Sequence, residues 1–197
     1  MSCRLITIVA ATFTVIGIHA AEPTDILEGY GKTKWGQSYE GVAAVLPELV
    51  NVEKNKDEGY AAYEAAGAEG SVIAFAKYEF LGGHLYSVIV TFALPGGLDT
   101  GKDEDALVFI KKTISEKYEP FREQLKEGGI HITSSSGSPD KRTNQGTVNV
   151  MYLSQSALEK GAEVTQNKIA DTKAAKEKAR AESTRFDKIG GEVKDEL

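Results

Sequence analysis

Two β-rich runs, SVIAFAKYEF and HLYSVIVTF, stand on either side of Leu81-Gly82-Gly83, and no other stretch constrains the fold as tightly. Consecutive glycines give a turn ready access to positive φ at both central positions, which a tight antiparallel hairpin needs. Strict alternation puts Ile73, Phe75, Lys77 and Glu79 on one face of the first strand and Val72, Ala74, Ala76, Tyr78 and Phe80 on the other. In the second strand, Tyr86, Val88, Val90 and Phe92 oppose Leu85, Ser87, Ile89 and Thr91. Each strand has one more polar face, which predicts a sheet covered on one side only.

Helical patterns flank this hairpin. Before it, Ser38 is placed to cap a helix carrying Val42, Val45, Leu46 and Leu49, which Pro47 ends or kinks. The segment NVEKNKDEGYAAYEAAGAEG is polar, then rich in Ala and Gly, and reads as an irregular loop with at most a helical turn around Tyr60 to Ala66. After the hairpin, Asp103, Glu104 and Asp105 suit the first turn of a helix whose stripe is Leu107, Ile110, Ile114 and Tyr118. Pro120 interrupts it, and FREQLKE adds another turn or two. Two more β-rich runs follow, GIHIT and TVNVMYLS, joined by the loop SSSGSPDKRTNQG. The predicted architecture is therefore α+β: one antiparallel sheet of about four strands in αββ-αββ order, with helices on one face.

From Gln155 onward the chain becomes charged and alanine-rich, with Leu158, Ile169, Phe186 and Ile189 as its sizeable apolar residues. That composition predicts a long, mostly solvated helix. Its apolar stripe is thinner than the seam of a coiled coil. The expected layout is a leader over residues 1–21, a globular domain over 22–154 and a charged helical extension over 155–197.

The leader reading rests on Arg4, an apolar run from Leu5 to Ile18 and small closing residues, a pattern of cleaved secretory signals and too short to span a bilayer. No later run is long and apolar enough to span one, so the expected product is soluble and lumenal or periplasmic. The single cysteine, Cys3, lies inside this leader, leaving no thiol or disulfide chemistry for the remainder. A formal charge of −6 disfavours nucleic-acid partners. At the other terminus, Lys194, Asp195, Glu196 and Leu197 spell a retention address of the endoplasmic reticulum, which acts only where its receptor exists.

Catalytic patterns do not emerge. His84 and His131 have no His or Cys at ligand spacing, so neither reads as part of a zinc site. No GxSxG elbow occurs, DTGKDEDA lacks the order of a calcium loop, and LPGGLDTGK lacks phosphate-loop spacing. The expectation is a non-enzymatic chain with no catalytic, metal or cofactor residues. Trp35 reads as a core anchor or an exposed contact residue. Tyr78, Tyr86 and Tyr152 are candidates to line an open sheet face suited to protein contact, or else are half-buried strand residues.

Trp35, Gly36, Ser38, Glu40 and Val42, followed by Phe80, Gly83, Leu85, Tyr86, Val88 and Phe92, resemble a pattern recurrent in small exported bacterial proteins. ISEKYEPF and VNVMYLSQSALE extend the likeness over about Lys32 to Glu159. Proteins with this pattern include outer-membrane-assembly lipoproteins of the SmpA/BamE type and the β-lactamase inhibitor protein. This chain has Glu119 where the pattern closes a helix with glycine, and it has no lipobox cysteine. The resemblance implies an α+β envelope protein that binds other proteins, and it carries over no catalytic residues. A small-ligand carrier and a lumenal protein retained by its terminal tetrapeptide stand as alternatives.

Overall fold

The computed structural model describes residues 25–55, 59–68, 72–93, 103–137 and 147–195. The leader and the last two residues of the retention address, Glu196 and Leu197, lie outside them, as do the side chains of Lys194 and Asp195.

The chain opens with a 3-10 turn at Asp25–Leu27 and two short paired strands, β1 (Gly29–Tyr30) and β2 (Thr33–Lys34). Helix α1 (Tyr39–Val45) starts as expected, with the Ser38 hydroxyl accepting the Gly41 N–H at 3.3 Å. It stops before Pro47, whose ring disfavours helical backbone at Leu46, and Leu46 leaves the helix with φ −135° and ψ 76°.

Six strands then build one antiparallel sheet: β3 (Val50–Asn55), β4 (Tyr60–Ala66), β5 (Ile73–Leu81), β6 (His84–Ala93), β7 (Ile130–Ser136) and β8 (Thr147–Ser154), in the order β3-β4-β5-β6-β8-β7. Four strands in αββ-αββ order was the expectation, and the stretch from Val50 to Ala66 overturns it. What reads as an irregular loop is a strand pair. Alanine has little intrinsic preference for strands, but β4 lies between β3 and β5, where Ala62 and Ala65 are buried and Tyr63 packs on Tyr39 at 4.1 Å between rings. Tertiary context overrides propensity here.

The β5–β6 turn is as read, with Gly82 at φ 56° and Gly83 at φ 84°. Strict alternation does not hold along the two strands. Register shifts between Ile73 and Phe75, and between Glu79 and Phe80, set Ile73 opposite Phe92 and Phe80 opposite Leu85. Each shift is a bulge, which moves the following side chains to the other face. The core face therefore carries Ile73, Ala76, Tyr78 and Phe80 beside Leu85, Val88, Val90 and Phe92.

That face is covered by the N-terminal segment, by α1 and by two later helices. These are α2 (Asp103–Tyr118) and α3 (Arg122–Glu127), joined by a 3-10 turn at Glu119–Phe121. Ile26, Val42, Tyr118 and Leu125 bury themselves there against Tyr78, Val88, Val150 and Tyr152. Fully burying a side chain of this size is worth about 1.5–3 kcal/mol.

The last helix, α4 (Gln155–Asp195), is 41 residues, about 60 Å long. Ser154 opens it by accepting the Ala157 N–H, and Gln155 N–H is held by the Gly129 carbonyl at 2.8 Å. Its first turns lie at the hairpin end of the opposite face, where Gly161 meets Leu81. Beyond Thr165, every described side chain through Thr184 is exposed.

Candidate functional site

The N-terminal segment is fixed to the hairpin through Trp35-Gly36-Gln37. Gly36 N–H donates to the Leu85 carbonyl at 2.8 Å, and Leu85 N–H donates to the Gln37 carbonyl at 3.0 Å. The indole N–H of Trp35 donates to the Ile26 carbonyl at 2.8 Å, and the ring packs partly buried against the core. Trp35 is thus an anchor in its local role. His84 Nδ1 lies 2.9 Å from the Gly36 carbonyl oxygen, which ties the turn to the same segment.

Tyr78 and Tyr152 cannot line an open sheet face, because both are buried on the covered side. The bulges and the helices over them decide this. Tyr152 sits 4.9 Å from Tyr30 and 6.2 Å from Tyr118 between ring centres, and burial, with those neighbours, pushes its hydroxyl well above the ordinary tyrosine range. Burial does the same for Tyr78, which is pushed up to about 12. Tyr86 alone of the three strand tyrosines is half-buried rather than in the core.

On the second face, the sheet register assembles a polar cluster that strand-by-strand reading misses. Glu79, with 13% of its side chain exposed, accepts the Tyr60 hydroxyl at 3.1 Å and lies 3.2 Å from Lys77 Nζ. Glu53, on the edge strand, is 3.8 Å from the same ammonium. Burial opposes the charge of Lys77, but Glu79 beside it prevails and raises its pKa. Tyr60 and Tyr86 are raised, first by burial and then by Glu79. A carboxylate already engaged by an ammonium and a phenol is poorly placed as a base or nucleophile, so this cluster reads as a strut across β4 and β5.

The second feature is a cleft of about 460 Å³ between α2, α3 and the outer strand β7. Its floor is apolar, formed by Ile114, Leu125, Ile130 and Ile132 with the ring of Tyr118. Its rim carries Lys111, Arg122, Lys126 and His131, against one acid, Glu119, which pairs with Arg122 at 3.3 Å. That pair is exposed on both sides and adds little stability. A chain of net charge −6 thus concentrates cations at one apolar groove. The groove brings together positions 111 to 134, too far apart for a local motif to announce it.

Among the described residues, no group of three or more His, Cys, Asp or Glu is placed to hold a metal, and no helix is long and apolar enough to cross a membrane. Comparison with protein-family models, with curated proteins and with solved structures finds no match to this chain.

Proposed function

We propose that this is an exported, non-enzymatic domain that acts by contact with other proteins of the bacterial cell envelope, as the likeness of its Trp35-Gly36 segment and hairpin to small exported bacterial proteins implies. One observation carries the reading. About 45 Å of α4, from Gln166 onward, extends past the last turn that touches the sheet, with Ile169 52% exposed on it. Helices draw most of their stability from packing an apolar face, and from Gln166 to Thr184 every side chain of this segment is exposed. A partner surface supplies what the domain itself does not.

The test is a photo-crosslinking amino acid at Ile169 in the full chain, expressed in its source cell. Transfer to one discrete partner protein supports the reading, and crosslinks confined to the chain itself overturn it. In this reading residues 1–21 direct export. The alternative, retention in the endoplasmic reticulum, predicts that deleting the last four residues in a eukaryotic host releases the protein into the medium.

A second reading, a carrier of a small ligand, has the cleft in its favour, since its volume falls within the range of about 300–1,000 Å³ typical of such sites. A ligand-induced rise in melting temperature would support it.

A further inference from the structure

The two edges of the sheet are unlike each other. Strand β3 is interrupted by a register shift between Asn51 and Glu53 and carries Glu53 and Lys54, devices that discourage a further strand from pairing. Strand β7 has neither device. Its sequence, IHITSSS, contains no Lys, Glu, Asp or Pro, and its pairing with β8 runs without a shift from Ile130 to Ser136. Seven residues of regular strand thus offer their outer row of N–H and C=O groups, with no described strand beyond them.

That row forms one wall of the cleft beneath α2 and α3. An added strand pairs with β7 through its backbone and alternates its side chains, so every second one reaches the apolar floor at Ile114 and Ile132. Lys111, Arg122 and Lys126 stand on those same two helices, so they attract acids carried on the face of the added strand that turns toward α2 and α3, and its other side chains point away from them. A small ligand fills the floor but leaves the strand edge unpaired, which favours a peptide as the occupant.

The geometry points to β7 and its cleft as a docking site for an extended acidic peptide segment of a partner protein, added antiparallel or parallel as a seventh strand. This rests on the protein-contact reading above and gives it a second place on the molecule.

The probe is a fluorescein-labelled decapeptide with Val and Glu taking turns at every second position, on the face that meets the helices, and Thr at the positions between, titrated by fluorescence polarisation against the full chain. Two controls accompany it: the same peptide with Lys for Glu, and the Glu peptide N-methylated at alternate residues. The expected result is saturable binding of the Glu peptide, weakened by about tenfold or more in either control and by Arg122→Glu with Lys126→Glu, a change large enough to resolve. Amide resonances of Ile130–Ser136 shift on binding, and those of Val50–Asn55 do not.

Equal binding of the N-methylated peptide overturns strand addition, and equal binding of the Lys peptide overturns the charge preference. Absence of binding, or binding that leaves the amide resonances of Ile130–Ser136 unmoved, removes the peptide site. If the Ile169 crosslinker still captures a partner in that event, the site has failed and the protein-contact reading stands. If neither experiment succeeds, both fall.

Discussion

Gly161 of α4 lies so close to the Leu81 carbonyl that a Cβ at this position would overlap the oxygen and stand 2.9 Å from the carbonyl carbon. The approach is mutual, since a Cβ on Gly82 would overlap the Gly161 oxygen, and Gly82 also needs its φ of 56° for the turn. Two glycines far apart in sequence thus let the long helix seat on the end of the hairpin.

This contact reverses the usual sign of a helical substitution. In an exposed helix, replacing Gly by Ala gains up to about 1 kcal/mol. Here Gly161→Ala forces the helix off the β5–β6 turn, with an expected loss of about 1–3 kcal/mol, the range for overpacking. Thermal unfolding by circular dichroism checks it, with a fall of roughly 3–10 °C expected for a chain of this size. A rise in melting temperature would show that α4 does not depend on the close approach.

Buried tyrosines make the fold sensitive to alkali. Burial, with a smaller contribution from Glu48, moves the Tyr78 hydroxyl from 10.0 to about 12, and Tyr30 and Tyr152 are raised in the same direction. Above pH 10 the unfolded chain releases these protons while the folded chain keeps them, so the folded state binds more. Stability from this source is complete below pH 10 and falls as the pH rises through the interval to about 12. Each such group contributes a slope of about 1.4 kcal/mol per pH unit there. Urea midpoints between pH 9 and 11.5 should decline, and Tyr78→Phe should make the decline shallower. An unchanged slope in that variant would remove Tyr78 as a contributor.

What could be read from the sequence was local. The Ser38 cap, the break at Pro47, the Gly82-Gly83 turn and the end of α2 near Pro120 each depend on a few adjacent residues, and each stands where those residues place it. The β3–β4 pair was hidden because Ala62 and Ala65 become strand residues only once Tyr63 has Tyr39 and Phe80 to pack against. The faces of β5 and β6 were misread only at Ile73, Leu85 and Tyr86, for a different reason: nothing in Ile73-Ala74-Phe75 or Leu85-Tyr86-Ser87 marks a bulge. The cleft was illegible because Lys111, Arg122 and Ile132 share one groove only after α2 and α3 fold back across β7.

Two hydroxyls four residues apart on the second face of β6 should respond oppositely to removal. Ser87 is 0% exposed, and its Oγ has no hydrogen-bond partner among the described residues. The hydroxyl of Thr91 donates to Asn149 Oδ1 at 2.8 Å. Deleting an unsatisfied buried polar atom relieves a desolvation cost, so Ser87→Ala should be neutral or stabilising by up to about 1 kcal/mol. Thr91→Val leaves the amide oxygen without its donor and should cost about 1 kcal/mol. Urea unfolding with an unchanged m-value separates the two. A loss in Ser87→Ala matching that in Thr91→Val would mean that Ser87 is satisfied after all.

Helix α4 should divide into a part the fold needs and a part it does not. Ala157 is buried and Gly161 abuts Leu81, whereas Gln166 to Thr184 are exposed throughout. Among the described residues, a chain ending at Asn167 keeps every contact of α4 with the sheet, so its stability should stay within about 0.5 kcal/mol of the full chain, the range typical of changes at the surface. Its helical signal should nevertheless fall, because the removed turns contribute helix without contributing packing. A chain ending at Ser154 loses the Ala157 and Gly161 contacts, and it should unfold at clearly lower urea. If truncation at Asn167 destabilised the domain as much as truncation at Ser154, the distal helix would be folding back onto the sheet, and it would no longer offer a free surface to a partner.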